Sequence, residues 1–211
     1  MNEVELNIGR SQESALSVNK VVRNTYMLLS MTLFFSAICA TASMAMQVGQ
    51  GTGFMMLLGG FGMSFVVRAT ANSSKGLVAV FVFAGLMGAA LGPTINVYLM
   101  AYANGSAIVA QALGGTALIF LSLSGYALTS GKNFNFLGGF IFTGMMVVIV
   151  AMIANIFLQI PAFSLAISSA VILLMSGFIL FDTSRIVNGG ERNYIMATIS
   201  LYLSIFNIFV H

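Results

Sequence analysis

Residues 134–160 read FNFLGGFIFTGMMVVIVAMIANIFLQI, 27 positions without one Asp, Glu, Lys or Arg. A bilayer core about 30 Å thick is crossed by about 20 apolar residues in a helix, so this stretch is long enough to span. It is apolar on every side. A barrel strand would alternate apolar and polar side chains over about ten residues, and only helices or closed barrels satisfy every backbone group in lipid. The stretch therefore reads as a transmembrane helix that stops before Pro161.

Working outward, the same pattern recurs. Towards the N-terminus the spans are expected at 106–129, 77–100 (with Gly92-Pro93 inside), 54–68 and 26–47, and towards the C-terminus at 163–186 and from Tyr194 onward. Gly49, Gly51 and Gly53, Asn104-Gly105, Gly131-Lys132-Asn133 and Asn188-Gly189-Gly190 mark turns between them. The expected fold is all-α: a polytopic seven-transmembrane-helix bundle over 26–211, behind a polar N-terminal tail over 1–25. The span at 54–68 is short by strict count and is expected to tilt. The seventh run has about 17 residues before the sequence stops at His211, less than a comfortable span. The last helix thus reads as truncated, with His211 either the start of a tag or a natural short end. Ala40-Thr41-Ala42 resembles a signal-peptide cleavage site. The three acids ahead of it and the apolar run that continues past it favour an uncleaved span.

The whole chain agrees with its parts. Of 211 residues 59% are hydrophobic and 6% charged, with mean hydropathy +1.00. A soluble domain carries about 25% charged residues, and a disordered chain needs low hydrophobicity. The eight Lys and Arg are scattered and form no stripe for nucleic acid. Instead they sort by side. Arg10, Lys20 and Arg23 precede the first span, Arg68 and Lys75 border the second loop, Lys132 lies in the fourth, and Arg185 and Arg192 border the sixth. The first, third and fifth loops carry no charge. Basic residues collect in cytoplasmic loops, so the N-terminus and the even loops are expected in the cytoplasm.

Absences narrow the chemistry. His211 is the only histidine, Asp182 the only aspartate and Cys39 the only cysteine. No His-activated nucleophile, paired-His zinc site or two-aspartate protease can be assembled inside the bundle. No enzyme and no cofactor is expected. The glycines Gly88, Gly92, Gly114, Gly115, Gly125, Gly138, Gly139 and Gly144 suit close helix packing, within the chain or in a homodimer face.

Ionisable groups inside a membrane are functional candidates by default. Here they are Arg68, Asp182 and Arg185. Asp182 and Arg185 stand three apart, the spacing of a local ion pair. Alternatively Arg68 reaches across and clamps two helices at the cytoplasmic mouth. Asn155 and Asn207 are candidate interhelical hydrogen-bonding groups.

Several segments resemble the bacterial Bax inhibitor-1 (TMBIM) family. They are Lys20-Val-Val-Arg-Asn-Thr-Tyr26, Ala154-Asn155-Ile156-Phe157, Ile179-Leu180-Phe181-Asp182-Thr183 and Leu201-Tyr202 with Asn207 and Phe209. Gly189-Gly190-Glu191 with Asn193-Tyr194-Ile195 is similar to the YccA branch, whose members modulate the membrane protease FtsH. The resemblance runs from about Lys20 to Phe209 and implies a seven-helix inner-membrane protein with a central helix. It also implies two functions. One is regulation of FtsH in membrane-protein quality control, with the protease as partner. The other is a pH-sensitive cation leak, calcium or proton, sensed by aspartates on spans six and seven that a span-two arginine holds. Asp182 matches the first aspartate and Arg68 the arginine, but Ser204 occupies the second aspartate's place. Two carboxylates sharing a site resist joint ionisation, and one beside an arginine does not. The regulatory function is the expectation, and Asp182 is expected to stay charged.

Overall fold

The computed structural model describes the backbone of residues 3–211 and the side chains of residues 16–211. Among the described residues there are seven α-helices and no strand: α1 (Glu3–Ala45), α2 (Gln50–Thr70), α3 (Ser74–Ala101), α4 (Gly105–Ser130), α5 (Leu137–Leu158), α6 (Pro161–Val187) and α7 (Tyr194–Val210). Six are long and apolar enough to cross a bilayer, and the 17-residue α7 is shorter. The protein is an all-α, multi-spanning membrane protein.

Three boundaries differ from the sequence reading. The helix of the first span begins at Glu3, so no break separates the expected tail from the bundle at residue 25. The side chains of Glu3, Glu5, Arg10 and Glu13 in that expected tail lie outside the described residues. The first turn lies earlier than the Gly49–Gly53 run, with Gln47 at φ 51 and α2 starting at Gln50. Gly51 and Gly53 are helical. Gly53 serves an approach, not a turn: a Cβ there would stand 2.8 Å from Pro93 Cγ. The 21 residues of α2 rise about 32 Å, a full span. The third difference is at Pro161, which opens α6 at its first turn, where its missing N–H leaves no helical bond unmade.

The helices group into two packed units. One comprises residues 1–20, 113–192 and 203–211. Its core is Val148 of α5, Ile167, Val171, Leu174, Met175 and Ile179 of α6, and Ile208 of α7, with Ile119, Phe120 and Leu123 of α4 against it. Helices α5 and α6 meet where small residues face large ones, Gly144 against Leu174 and Gly138 against Phe181.

The second unit comprises residues 21–112 and 193–202. Helices α1 and α3 cross at Gly88, where a Cβ would collide with the Ser36 carbonyl. Pro93 lies inside α3 and supplies no N–H to the carbonyl four residues back. That carbonyl, of Ala89, accepts a hydrogen bond from Ser43 Oγ of α1 at 2.8 Å. Gln50 Nε2 donates to the Pro93 carbonyl at 2.9 Å, and Asn96 Nδ2 to that of Met44 at 3.1 Å. At mid-helix α7 places Tyr202, 2% exposed, edge-on to Phe83 at 5.1 Å between ring centres. The Tyr202 hydroxyl shares a 2.6 Å hydrogen bond with Ser36 Oγ. Its first turn is tied by Asn193 Nδ2, which donates to the Ala71 carbonyl and to Asn72 Oδ1.

Candidate functional site

Helix α6 ends in Phe181-Asp182-Thr183-Ser184-Arg185-Ile186-Val187. Polar side chains in such a run would face lipid on an isolated helix. Here they are covered: Asp182 is 7% exposed, and Thr183 and Ser184 are fully buried. Asp182 lies five residues before the helix end, about 8 Å along the axis, so it sits near one membrane surface and away from the bilayer centre.

Ser184 organises this end. Its hydroxyl donates to the Lys132 carbonyl at 3.1 Å and accepts from the Phe134 N–H at 2.9 Å. Asn188 Nδ2 donates to the Ser184 carbonyl at 2.8 Å and to Ser184 Oγ at 3.1 Å. The α4–α5 loop is thereby sewn to the last turn of α6. Buried backbone polar groups need such partners.

Arg185 pairs with Glu191 of the following loop, 3.7 Å from nitrogen to oxygen, and its guanidinium lies over the Phe181 ring at 5.5 Å. Both partners are part-exposed, at 37% and 26%, and such a pair contributes little. The geometry places Arg185 towards Glu191 and Phe181, one turn beyond Asp182. Ser204 of α7 is buried at 3% exposure. Asp182, Arg185 and Ser204 belong to one packed unit. Arg68 belongs to the other, exposed on the last turn of α2, where a cation complements the helix dipole.

The two asparagines have separate jobs. Asn155 Nδ2 donates to Ser164 Oγ at 2.6 Å and Asn155 Oδ1 accepts from the Ile160 N–H at 3.3 Å, so it bridges α5 and α6 at their shared turn. Asn207 instead donates to the Leu203 carbonyl at 2.8 Å, inside its own helix. The expected interhelical bond is replaced by one to the turn behind, the local alternative that short polar side chains always have. Among the described residues, no three of His, Cys, Asp and Glu come together in a metal-binding group.

Sequence reasoning missed Ser184 and Asn188. The only trace was the polar triplet Asp182-Thr183-Ser184 at the end of an apolar run, which drew attention to its charged member alone.

The profile of the family described as "Inhibitor of apoptosis-promoting Bax1" matches residues 18–211. The chain belongs to the Bax inhibitor-1 family. Among its relatives, the Escherichia coli K12 protein named "Modulator of FtsH protease YccA" is 51% identical over 197 residues, 93% of this chain and 89% of that one. A Vibrio cholerae membrane protein is 54% identical over 200 residues, 94% of this chain and 89% of its own. A Pseudomonas aeruginosa protein is 43% identical over 210 residues, covering 100% of this chain and 94% of its own. A second Escherichia coli relative, 51% identical over 197 residues, is named an inner membrane protein. With six spans of its own, this Bax inhibitor-1 family member is a multi-pass inner-membrane protein.

Proposed function

We propose that the protein is a regulatory inner-membrane protein that engages the FtsH protease and modulates its action on other membrane proteins, and that it is not itself an enzyme. The observation that carries this is the 51% identity, over 93% of the chain, to the protein named a modulator of that protease. In this reading residues 1–25 and the even loops face the cytoplasm, following the placement of Lys and Arg. In the same reading the N-terminal segment is the part the protease grips, since chain termini are where proteolysis concentrates. Asp182 and the Ser184 hydrogen bonds hold the cytoplasmic end of α6.

A calcium leak is the competing function for this family. Calcium takes six to eight oxygen ligands, usually from several carboxylates, and here Ser204 stands where the family's second aspartate would be.

Co-purification with FtsH from membranes tests the proposal, together with pulse-chase half-lives in cells with and without the protease. Deleting the first 18 residues should leave the bundle folded and lengthen the half-life when FtsH is present. Equal half-lives for the full and shortened chains in those cells would refute the N-terminal grip. A steep, acid-sensitive calcium leak from liposomes holding the unaltered protein would replace the regulatory function with the channel.

A further inference from the structure

The unit formed by residues 21–112 and 193–202 contains Arg23, Arg68 and Lys75 and no Asp or Glu. Arg68 is in the last turn of α2 and Lys75 in the first turn of α3, on either side of the short turn 71–73. Arg23 is at the same end: the neighbouring Thr25 carbonyl accepts from Thr198 of α7 at 3.3 Å, and the first turn of α7 is tied to Ala71. The other end of the unit, at 45–50 and 101–104, has no charge. All three cations are exposed, and none has an ion-pair or hydrogen-bond partner among the described residues. Two cations elsewhere differ. Arg185 faces Glu191, and Lys132 Nζ donates to the Tyr126 hydroxyl at 3.4 Å.

The turn between Arg68 and Lys75 presents little that would repel an anion. The Thr70 carbonyl accepts from both the N–H and the hydroxyl of Ser73, each at 2.9 Å. The Ala71 carbonyl accepts from Asn193 Nδ2 at 3.1 Å. Arg68 also heads a stripe. Phe54, Leu58, Phe61, Phe65 and Arg68 recur at steps of four and three, so they share one face of α2. The four apolar members are between 52% and 64% exposed. Helix interfaces in lipid favour small residues that let backbones approach; side chains this large and this open suit acyl chains. From Arg68 to Phe54 the stripe descends about 21 Å, more than the depth of one leaflet, about 15 Å.

We propose that this end of the α2–α3 hairpin is a seat for an anionic phospholipid. Arg68 takes the phosphate, Lys75 adds to the positive field, and the acyl chains lie on the apolar stripe of α2. A guanidinium offers phosphate a planar pair of donors. The unit has no acid of its own to neutralise these cations, so the negative charge comes from the bilayer. A zwitterionic lipid carries its own ammonium and neutralises nothing. Each basic residue close to the membrane surface favours an anionic lipid by about fivefold, so Arg68 and Lys75 together give about 25-fold. The seat is independent of any action on FtsH.

The test uses the full chain in detergent micelles doped with equal amounts of phosphatidylglycerol and phosphatidylcholine of matched acyl chains. Native mass spectrometry counts the lipid retained on the protein. The parent should retain phosphatidylglycerol about 25-fold over phosphatidylcholine, Arg68→Gln only about fivefold, and Arg68→Gln with Lys75→Gln almost without preference. Arg68→Lys keeps the charge and should keep most of the preference. Lys132→Gln removes an equal charge that already has a partner and should leave the preference unchanged. Phe61→Ala with Phe65→Ala should lower retention of both lipids and leave their ratio alone. A parent without preference overturns the seat. So does an equal loss in Lys132→Gln, which would make net charge the cause. Unchanged retention in the double alanine variant overturns the acyl contact. Displacement of the lipid by excess glycerol phosphate, a headgroup without chains, would show a phosphate site alone and overturns the lipid assignment.

Discussion

Tyr202 offers a measurable account of how α7 is held. Its ring is 2% exposed and Ser36, at 6%, is buried beside it. Their hydroxyls are 2.6 Å apart, and the ring meets Phe83 edge-on at 5.1 Å. Two contributions can be separated. Tyr202→Phe keeps the ring and removes the hydroxyl. Interhelical hydrogen bonds within membranes average about 0.6 kcal/mol, with a maximum of about 1.7, so this change should cost about 1 kcal/mol. Tyr202→Ala removes the ring as well. Large-to-small changes at buried aromatics cost about 3–5 kcal/mol, because the space left beside Phe83 refills only in part. Ser36→Ala should cost about as much as Tyr202→Phe, and the double variant little more than either alone, since both remove the same bond. Reversible unfolding in detergent or bicelles gives the four free energies of the cycle. Additive losses from Ser36→Ala and Tyr202→Phe would refute the pairing. A Tyr202→Phe loss as large as that of Tyr202→Ala would show that the hydroxyl, not the ring, anchors the helix.

Three further outcomes follow from the cytoplasmic end and the topology. Ser184→Ala removes the acceptor for the Phe134 N–H and should cost about 1–3 kcal/mol, seen as faster hydrogen exchange at Phe134. Asp182→Asn keeps the shape of a buried group but exchanges a carboxylate for an amide, and a buried hydrogen-bonding group left mismatched costs about 1–3 kcal/mol, so it should melt below the parent, while Arg68→Gln, at an exposed helix end, should melt within about 1 kcal/mol of it. Single cysteines at Gly49, Asn104 and Pro161 in a Cys39→Ala background should label from the periplasmic side only. Labelling of these sites from the cytoplasm alone would invert the proposed orientation.

What was legible in the sequence was whatever depends on one segment at a time. An uninterrupted run such as 134–160 has one stable solution in lipid, and the helix count came from such runs. The start of α2 was misplaced because Gly51 and Gly53 look like turn residues until Pro93 is seen against them. Nothing local announces that partner 40 residues away. The same holds at the candidate site. Asp182 stood out by its charge, but Ser184 and Asn188 matter through the Lys132 carbonyl and the Phe134 N–H, groups every residue carries. Asn155 and Asn207 are the same side chain in similar apolar company, yet one bridges two helices and the other bonds its own. Only the neighbouring backbone decides which.

The proline in α3 bears on how the chain is made. Taken alone, α3 would enter lipid with the Ala89 carbonyl bare, since Pro93 has no N–H to give it, and a bare carbonyl in hydrocarbon costs several kcal/mol. The missing donor, Ser43 Oγ, belongs to a helix synthesised 50 residues earlier, by about that many rounds of elongation. Pro93 therefore reaches the membrane after the serine that completes its helix. The order of the helices along the gene is therefore also an order of assembly, and a permuted chain that placed α3 ahead of α1 should insert its proline helix poorly.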